Sequence, residues 1–223
     1  MHQRKSKKIL IYFFLLILLG SVNNISFNKF KFEDIKKINI SGLSDEEKKN
    51  LLTDIHNLKL ENIFFLNGID LIRVLENNSL IESYKIFKKY PFTIDINIEK
   101  TTFLAKINLS GQEFLIGSNG KLTKNNFSTE YLPYIFGKPE INEFLKFKKV
   151  IDKAKISYDE IKSFYYFKSK RWDIELKNNI IIKLSKENTK KSLNNALIFL
   201  SKSKFKEIQV LDSRIINQII LND

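Results

Sequence analysis

Residues 36–100 constrain the fold more than any other part of the chain, because they fit one order of elements closely. Ile38 and Ile40 alternate with polar neighbours, the period-two pattern of a half-buried strand. Gly42 then breaks the strand. Ser44 is followed three residues later by Glu47, the spacing of a capping box, and Asp45 and Glu46 place negative charge where a helix N-terminus favours it. Leu51, Leu52 and Ile55 give that helix one apolar face. Asn67-Gly68 opens a second helix, in which Leu71, Ile72 and Leu75 recur at helical spacing before Asn77-Asn78 ends it. A strand runs on to Tyr90, Pro91 punctuates it, and Ile94, Ile96 and Ile98 alternate in the next. The predicted order is strand, helix, helix, strand, strand.

Beyond residue 102 the pattern turns to strands. Phe103, Ala105, Ile107 and Leu109 alternate with polar residues, and residues 114–122 read as two strands around a turn. Leu132-Pro133-Tyr134-Ile135-Phe136-Gly137 reads as a bounded loop, since Pro fixes φ and Gly permits a positive one. Residues 140–155 and 190–202 carry helical apolar sets, and residues 161–167 form an aromatic strand. Asn178-Asn179 between two apolar runs predicts a hairpin, because Asn tolerates the left-handed conformation of a tight turn. Trp172 is assigned to the core. A last strand is expected over Ile215, Ile216, Asn217, Gln218, Ile219, Ile220 and Leu221. On it Ile215, Ile219 and Leu221 share one face, and Ile216 and Ile220 the other.

The N-terminus adds a second constraint. Arg4, Lys5, Lys7 and Lys8 precede an unbroken apolar run over residues 9–19, which polar residues then dilute. A cleaved signal peptide and an uncleaved anchor both have this layout. No pair of small residues stands at the cleavage spacing after the run, which favours an anchor over residues 9–27. In both cases the basic flank stays inside and the remainder is exported.

Chemistry is hard to place in this composition. The chain of 223 residues has no cysteine, which excludes a thiol nucleophile, a cysteine zinc site and a disulfide framework. A net charge of +13 raises nucleic acid as a partner. The charge is nearly all lysine, however, and the arginines are only Arg4, Arg73, Arg171 and Arg214; arginine is the better reader of phosphates and base edges. We therefore expect no nucleic acid. His2 and His56 stand in no catalytic pattern, no serine sits in a nucleophile elbow and no glycine-rich phosphate loop is present. The expectation is a non-enzyme with no cofactor, no metal and no small-molecule substrate.

The strand-helix-helix-strand-strand unit resembles a POTRA domain, a small periplasmic or extracellular docking module. The finer resemblance is to the FtsQ/DivIB cell-division family. Ile38-Asn39-Ile40-Ser41-Gly42 matches its first strand, and the run from Ile86 through Pro91 to Ile94, Ile96 and Ile98 is similar to the run that closes the family's POTRA domain. Ala105 is kept, while Phe103 stands where the family has Pro. Leu115-Ile116-Gly117 is similar to an L-I-D segment with Gly117 in place of Asp, and Leu132-Pro133 with Gly137 fits L-P-x-x-x-G. Arg171-Trp172-Asp173 resembles R-W-D-L, with Asn179 and Ser185 standing for a usual Gly and Pro. Val210-Leu211-Asp212-Ser213-Arg214 resembles V-D-L-R, with Ser213 for Leu.

The resemblance implies an α+β fold: a single N-terminal transmembrane helix, a POTRA-type βααββ domain, then a mixed β-rich domain with flanking helices. The expected division is a cytoplasmic stub (1–8), a membrane helix (9–27), a linker (28–35), the POTRA domain (36–101) and the β domain (102–223). It further implies a bitopic inner-membrane divisome scaffold whose periplasmic part links early and late division proteins and holds an FtsB/FtsL-like pair. In the family the last strands take FtsB by strand addition, which places the partner-binding residues at Ile215, Ile216, Asn217, Gln218, Ile219, Ile220 and Leu221. The alternative is a POTRA-bearing envelope-assembly or export factor that docks polypeptides.

Overall fold

A computed structural model of the chain describes residues 3–22, 34–64, 66–126, 131–202, 208–215 and 218–222. Helix α1 covers Gln3–Val22. It is followed by β1 (Lys37–Ser41), α2 (Asp45–Asn57), α3 (Ile69–Asn77), β2 (Ile81–Lys89) and β3 (Thr93–Lys100). The predicted order of elements is present. Ser44 caps α2 in full: its side chain accepts the Glu47 amide, and the Glu47 carboxylate accepts the Ser44 amide. β3 lies in the middle of a three-stranded sheet, parallel to β1 and antiparallel to β2. The alternating isoleucines of β3 point at the two helices, where Ile94 and Ile96 are fully buried with Leu51, Ile55, Leu71 and Leu75. Each such side chain contributes about 1.5–3 kcal/mol. Gly42 turns the chain from β1 into α2 at φ +92°, and a Cβ there would lie 1.8 Å from the Ile98 carbonyl oxygen. Only glycine fits.

The second sheet has nine strands: β4 (Phe103–Leu109), β5 (Gln112–Gly117), β6 (Leu122–Lys124), β7 (Tyr134–Phe136), β8 (Ile161–Tyr166), β9 (Trp172–Leu176), β10 (Ile181–Leu184), β11 (Val210–Ser213) and β12 (Ile220–Asn222). Their spatial order is β12-β11-β10-β9-β8-β7-β4-β5-β6. Helices α4 (Ile141–Asp152) and α5 (Thr189–Lys202) bury Phe144, Phe147, Ile151, Leu193 and Ala196 against one face of this sheet. Trp172 is a core residue and stacks on Phe147 with ring centroids 4.6 Å apart. The Asn178-Asn179 hairpin has Asn179 at φ +65°, the left-handed conformation expected of it. The cores of the three-stranded and nine-stranded modules are separate sets of side chains.

Three expectations need correction. The segment around Pro133 is not only a loop: Tyr134, Ile135 and Phe136 form β7, a strand parallel to both of its neighbours, β4 and β8. Three residues are too few to show a period, and only the two flanking strands make them a strand. The last strand is also shorter than expected. Ile215 lies in the turn after β11, where its carbonyl accepts the Gln218 amide, and the ladder begins at Ile220. Residues 216 and 217 lie outside the described residues.

At the N-terminus the helix starts six residues before the expected span, at Gln3, and takes the cations into its first turns. It ends at Val22, and residues 23–27 lie outside the described residues. The apolar residues 9–19 are 48–70% exposed. Among the described residues no helix is long and apolar enough to cross a membrane.

Candidate partner-binding edge

The edge of the nine-stranded sheet is built from β11 outward. Ile181 donates its amide to the Gln209 carbonyl, and in a parallel ladder with Ile181 opposite Val210 this turns the backbone groups of Gln209 and Leu211 toward β10. The groups of Val210 and Asp212 then face β12, where they meet Asn222 and Ile220. By the same alternation the N–H and C=O of Leu221 point away from the sheet. β12 is the terminal strand, so they form an open edge.

Side chains follow from the register. Leu221 lies opposite the buried Leu211, on the face covered by α5, and is 36% exposed. Ile220 lies opposite Asp212 on the other face and is 42% exposed. Ile219 packs on the core, while Ile215 is 55% exposed in its turn. The structure therefore brings Ile219, Ile220 and Leu221 together at the edge and leaves Ile215 and Gln218 in the connection.

The face on which Ile220 lies carries a row of charges across three strands. Arg171 grips the Asp173 carboxylate through Nε at 3.1 Å and Nη2 at 3.2 Å, and the Leu184 amide donates to the same carboxylate at 3.2 Å. Lys183 stands between Asp173 and Asp212 in the ladder. Arg214 closes the row: its Nε lies 2.9 Å from each carboxylate oxygen of Asp212, and its backbone amide donates to Oδ1 at 3.1 Å. The Arg214 guanidinium holds the Asp212 carboxyl below the usual carboxylate range, against the opposing pull of burial. Burial pushes Asp173 up, and Arg171 offsets only part of that rise. Farther along the face the Tyr165 hydroxyl donates to Glu175 at 2.7 Å, and burial followed by the Glu175 charge pushes its pKa up to about 12.

From the sequence, Arg171, Asp173, Asp212 and Arg214 stand out only as motif positions, with Asp212 and Arg214 readable as a surface ion pair, and Lys183 is not singled out. The usable signal is charge alternating in sign at paired positions of neighbouring strands, and it needs the register to be seen. The position of Ser213 gains a reason as well. Its hydroxyl donates to the Ser192 carbonyl at 2.9 Å, and the Ser192 hydroxyl donates to the Ser213 carbonyl at 2.6 Å. This buried reciprocal pair fixes α5 to the end of β11, a role that leucine could not fill. Among the described residues no group of three or more His, Asp or Glu side chains is placed to hold a metal ion.

Comparison with known proteins decides the family. Residues 34–100 match the FtsQ-type POTRA domain, and residues 105–214 match the C-terminal domain of the cell division protein FtsQ/DivIB. The chain belongs to the FtsQ/DivIB family. The two matched regions run from the bridge at Asp34 to Arg214, just past β11; they take in the three-stranded sheet and most of the nine-stranded one, and β12 lies beyond them. A curated relative, the cell division protein FtsQ of Rickettsia bellii, is 27% identical over 172 residues. That match takes in 74% of this chain and 61% of the relative, so it spans less than two thirds of the relative's length. Among solved structures, the major extracytoplasmic domain of the trans isomer of DivIB from Geobacillus stearothermophilus is 11% identical, covering 44% of this chain and 86% of that one. Its TM-score of 0.32 is too low to bear on the fold.

Proposed function

We propose that this FtsQ/DivIB-family chain is a bitopic inner-membrane scaffold of the cell-division machinery, and that β12 receives an FtsB/FtsL-like partner by strand addition. The observation that carries the reading is the open edge at Leu221. A partner strand laid along β12 pairs the outward N–H and C=O of Leu221 and covers the exposed side chains of Ile220 and Leu221. The charged row beside it, from Arg171 to Arg214, offers fixed groups of both signs to a segment that continues past the edge.

Helix α1 supplies the membrane seat. Its eleven exposed apolar residues, 9–19, rise about 16 Å of the roughly 30 Å that the hydrocarbon requires. In this reading residues 20–27 complete the span, and the cations at its start remain cytoplasmic. Residues 28–223 then face the periplasm as a POTRA domain and a β domain that meet near residue 101.

The test is capture of the FtsB/FtsL-like proteins of the same organism by the purified 28–223 fragment. The intact fragment should retain them, and removal of residues 215–223 should abolish capture while far-ultraviolet circular dichroism keeps its shape. Equal capture by both fragments would place the partner elsewhere. A reporter fused after Asp223 that is active only in the cytoplasm would overturn the topology.

A further inference from the structure

Thr101 and Thr102 are the whole connection between β3, which ends at Lys100, and β4, which begins at Phe103. Modules joined by a short link move relative to each other unless an interface holds them. Here polar groups from both sides converge on the link. The Glu82 carboxylate of β2 accepts the Ser118 hydroxyl at 2.7 Å and the Thr101 hydroxyl at 3.0 Å. Ser118 also donates its amide to the Thr102 carbonyl at 2.8 Å and takes the Thr102 amide on its hydroxyl at 3.1 Å.

Asn119 uses both halves of its side-chain amide. Its Nδ2 donates across to the carbonyls of Ser79 at 3.0 Å and Ile81 at 2.9 Å, while its Oδ1 accepts the Lys121 amide at 3.0 Å and shapes its own turn. Lys121 reaches farther. Its ammonium donates to the Glu76 carbonyl and, at 3.1 Å, to the Asn78 carbonyl, at the C-terminal end of α3 where unpaired carbonyls favour a cation. The arrangement closes over Gly117. A Cβ there would lie 2.6 Å from Asn119 Oδ1 and 2.7 Å from Thr101 Oγ1, so any larger residue at this position would have to displace the side chains that make the joint.

We propose that this joint makes the three-stranded and nine-stranded modules one rigid body. Its attachment points on the first module are the end of α3, the start of β2 and Glu82 within β2. A swing about the Thr101-Thr102 link would have to stretch or break bonds to these groups. The orientation of β12 is then set by whatever holds the POTRA domain, and a partner bound there acts on the distal edge without touching it. The inference does not depend on which partner β12 takes.

The absence of cysteine makes the test clean. Asp54→Cys on α2 and Asn142→Cys on α4 place one nitroxide label on an exposed position of each module of the full chain. Pulsed electron double resonance should give one narrow distance. Lys121→Met, which removes the ammonium and keeps the aliphatic stem, should broaden that distribution, and Asn119→Ala combined with Lys121→Met should broaden it further. Circular dichroism of Lys121→Met should match the parent; if the double variant loses structure, Ser118→Ala takes its place beside Lys121→Met. A broad distribution in the parent overturns the proposal, and so does a narrow one that these folded variants leave unchanged.

Discussion

Glu47 serves both ends of a local design. One carboxylate oxygen completes the capping box with Ser44, and the other pairs with the Lys100 ammonium at 2.5 Å, tying α2 to the end of β3. Burial pulls its pKa up, but Lys100 and the Ser44 donors outweigh burial and leave it below the ordinary value of 4.5. A lowered pKa means that the folded state prefers the carboxylate. The resulting stability is present above pH 4.5 and is lost as pH falls through the lower folded value. Glu47→Gln keeps the box, since glutamine caps as well as glutamate, and removes the charge. It should cost about 1 kcal/mol or less at neutral pH, because the Lys100 end is partly solvated, and it should flatten the acid limb of a stability profile. Ser44→Ala should cost about 1 kcal/mol and flatten that limb less, because it removes only the hydroxyl and leaves Lys100 and the residue-44 amide on the carboxylate. Thermal melts from pH 3 to 7 distinguish the two. The capping box was legible in the sequence because its four residues are adjacent. The Lys100 pairing was not, because it spans 53 residues and depends on β3 lying beside α2.

At the scale of elements, the strand that carries the proposed partner site has an alternation that proline can read. Leu221 turns its N–H outward, so Leu221→Pro should leave the pairing of β12 with β11 intact and weaken partner capture. Ile220→Pro removes a donor that faces β11, and it should detach β12 and lower stability as well as capture. Calorimetry with pull-down separates these outcomes: capture lost with an unchanged melting temperature is expected only for Leu221→Pro. The same element shows where reading from sequence stops. Ile215 through Leu221 is apolar enough to pass as one strand, with only Asn217 and Gln218 polar. The ladder instead begins at Ile220, and just past β11 the Asp212 carboxylate, not a neighbouring strand, takes the Arg214 amide. The βααββ unit was legible nearly throughout, because caps, periods and a glycine break agree with one another there. β7 was hidden because a three-residue strand has no period.

For the whole molecule, the two separate cores lead us to expect that residues 34–101 fold alone. The isolated fragment should melt cooperatively, and at a lower temperature than within the full chain because it loses the bonds from Ser118, Asn119 and Lys121. A fragment with no cooperative transition would show that its core depends on the rest. The central position of β7 has a consequence in time rather than in space. Strands β4, β5 and β6 are neighbours in both sequence and sheet, and so are β8, β9 and β10. Each group can close by short turns within microseconds. They become one sheet only when β7 meets β4 and β8 in parallel, across connections long enough that loop entropy is lost before contacts repay it. Most of the sheet is thus two quick meanders joined by a slow seam at β7, with β11 added in parallel to β10 across α5. If the seam closes after the main barrier, Ile135→Ala should speed unfolding and leave the refolding rate nearly unchanged, a split that the two arms of a denaturant chevron resolve.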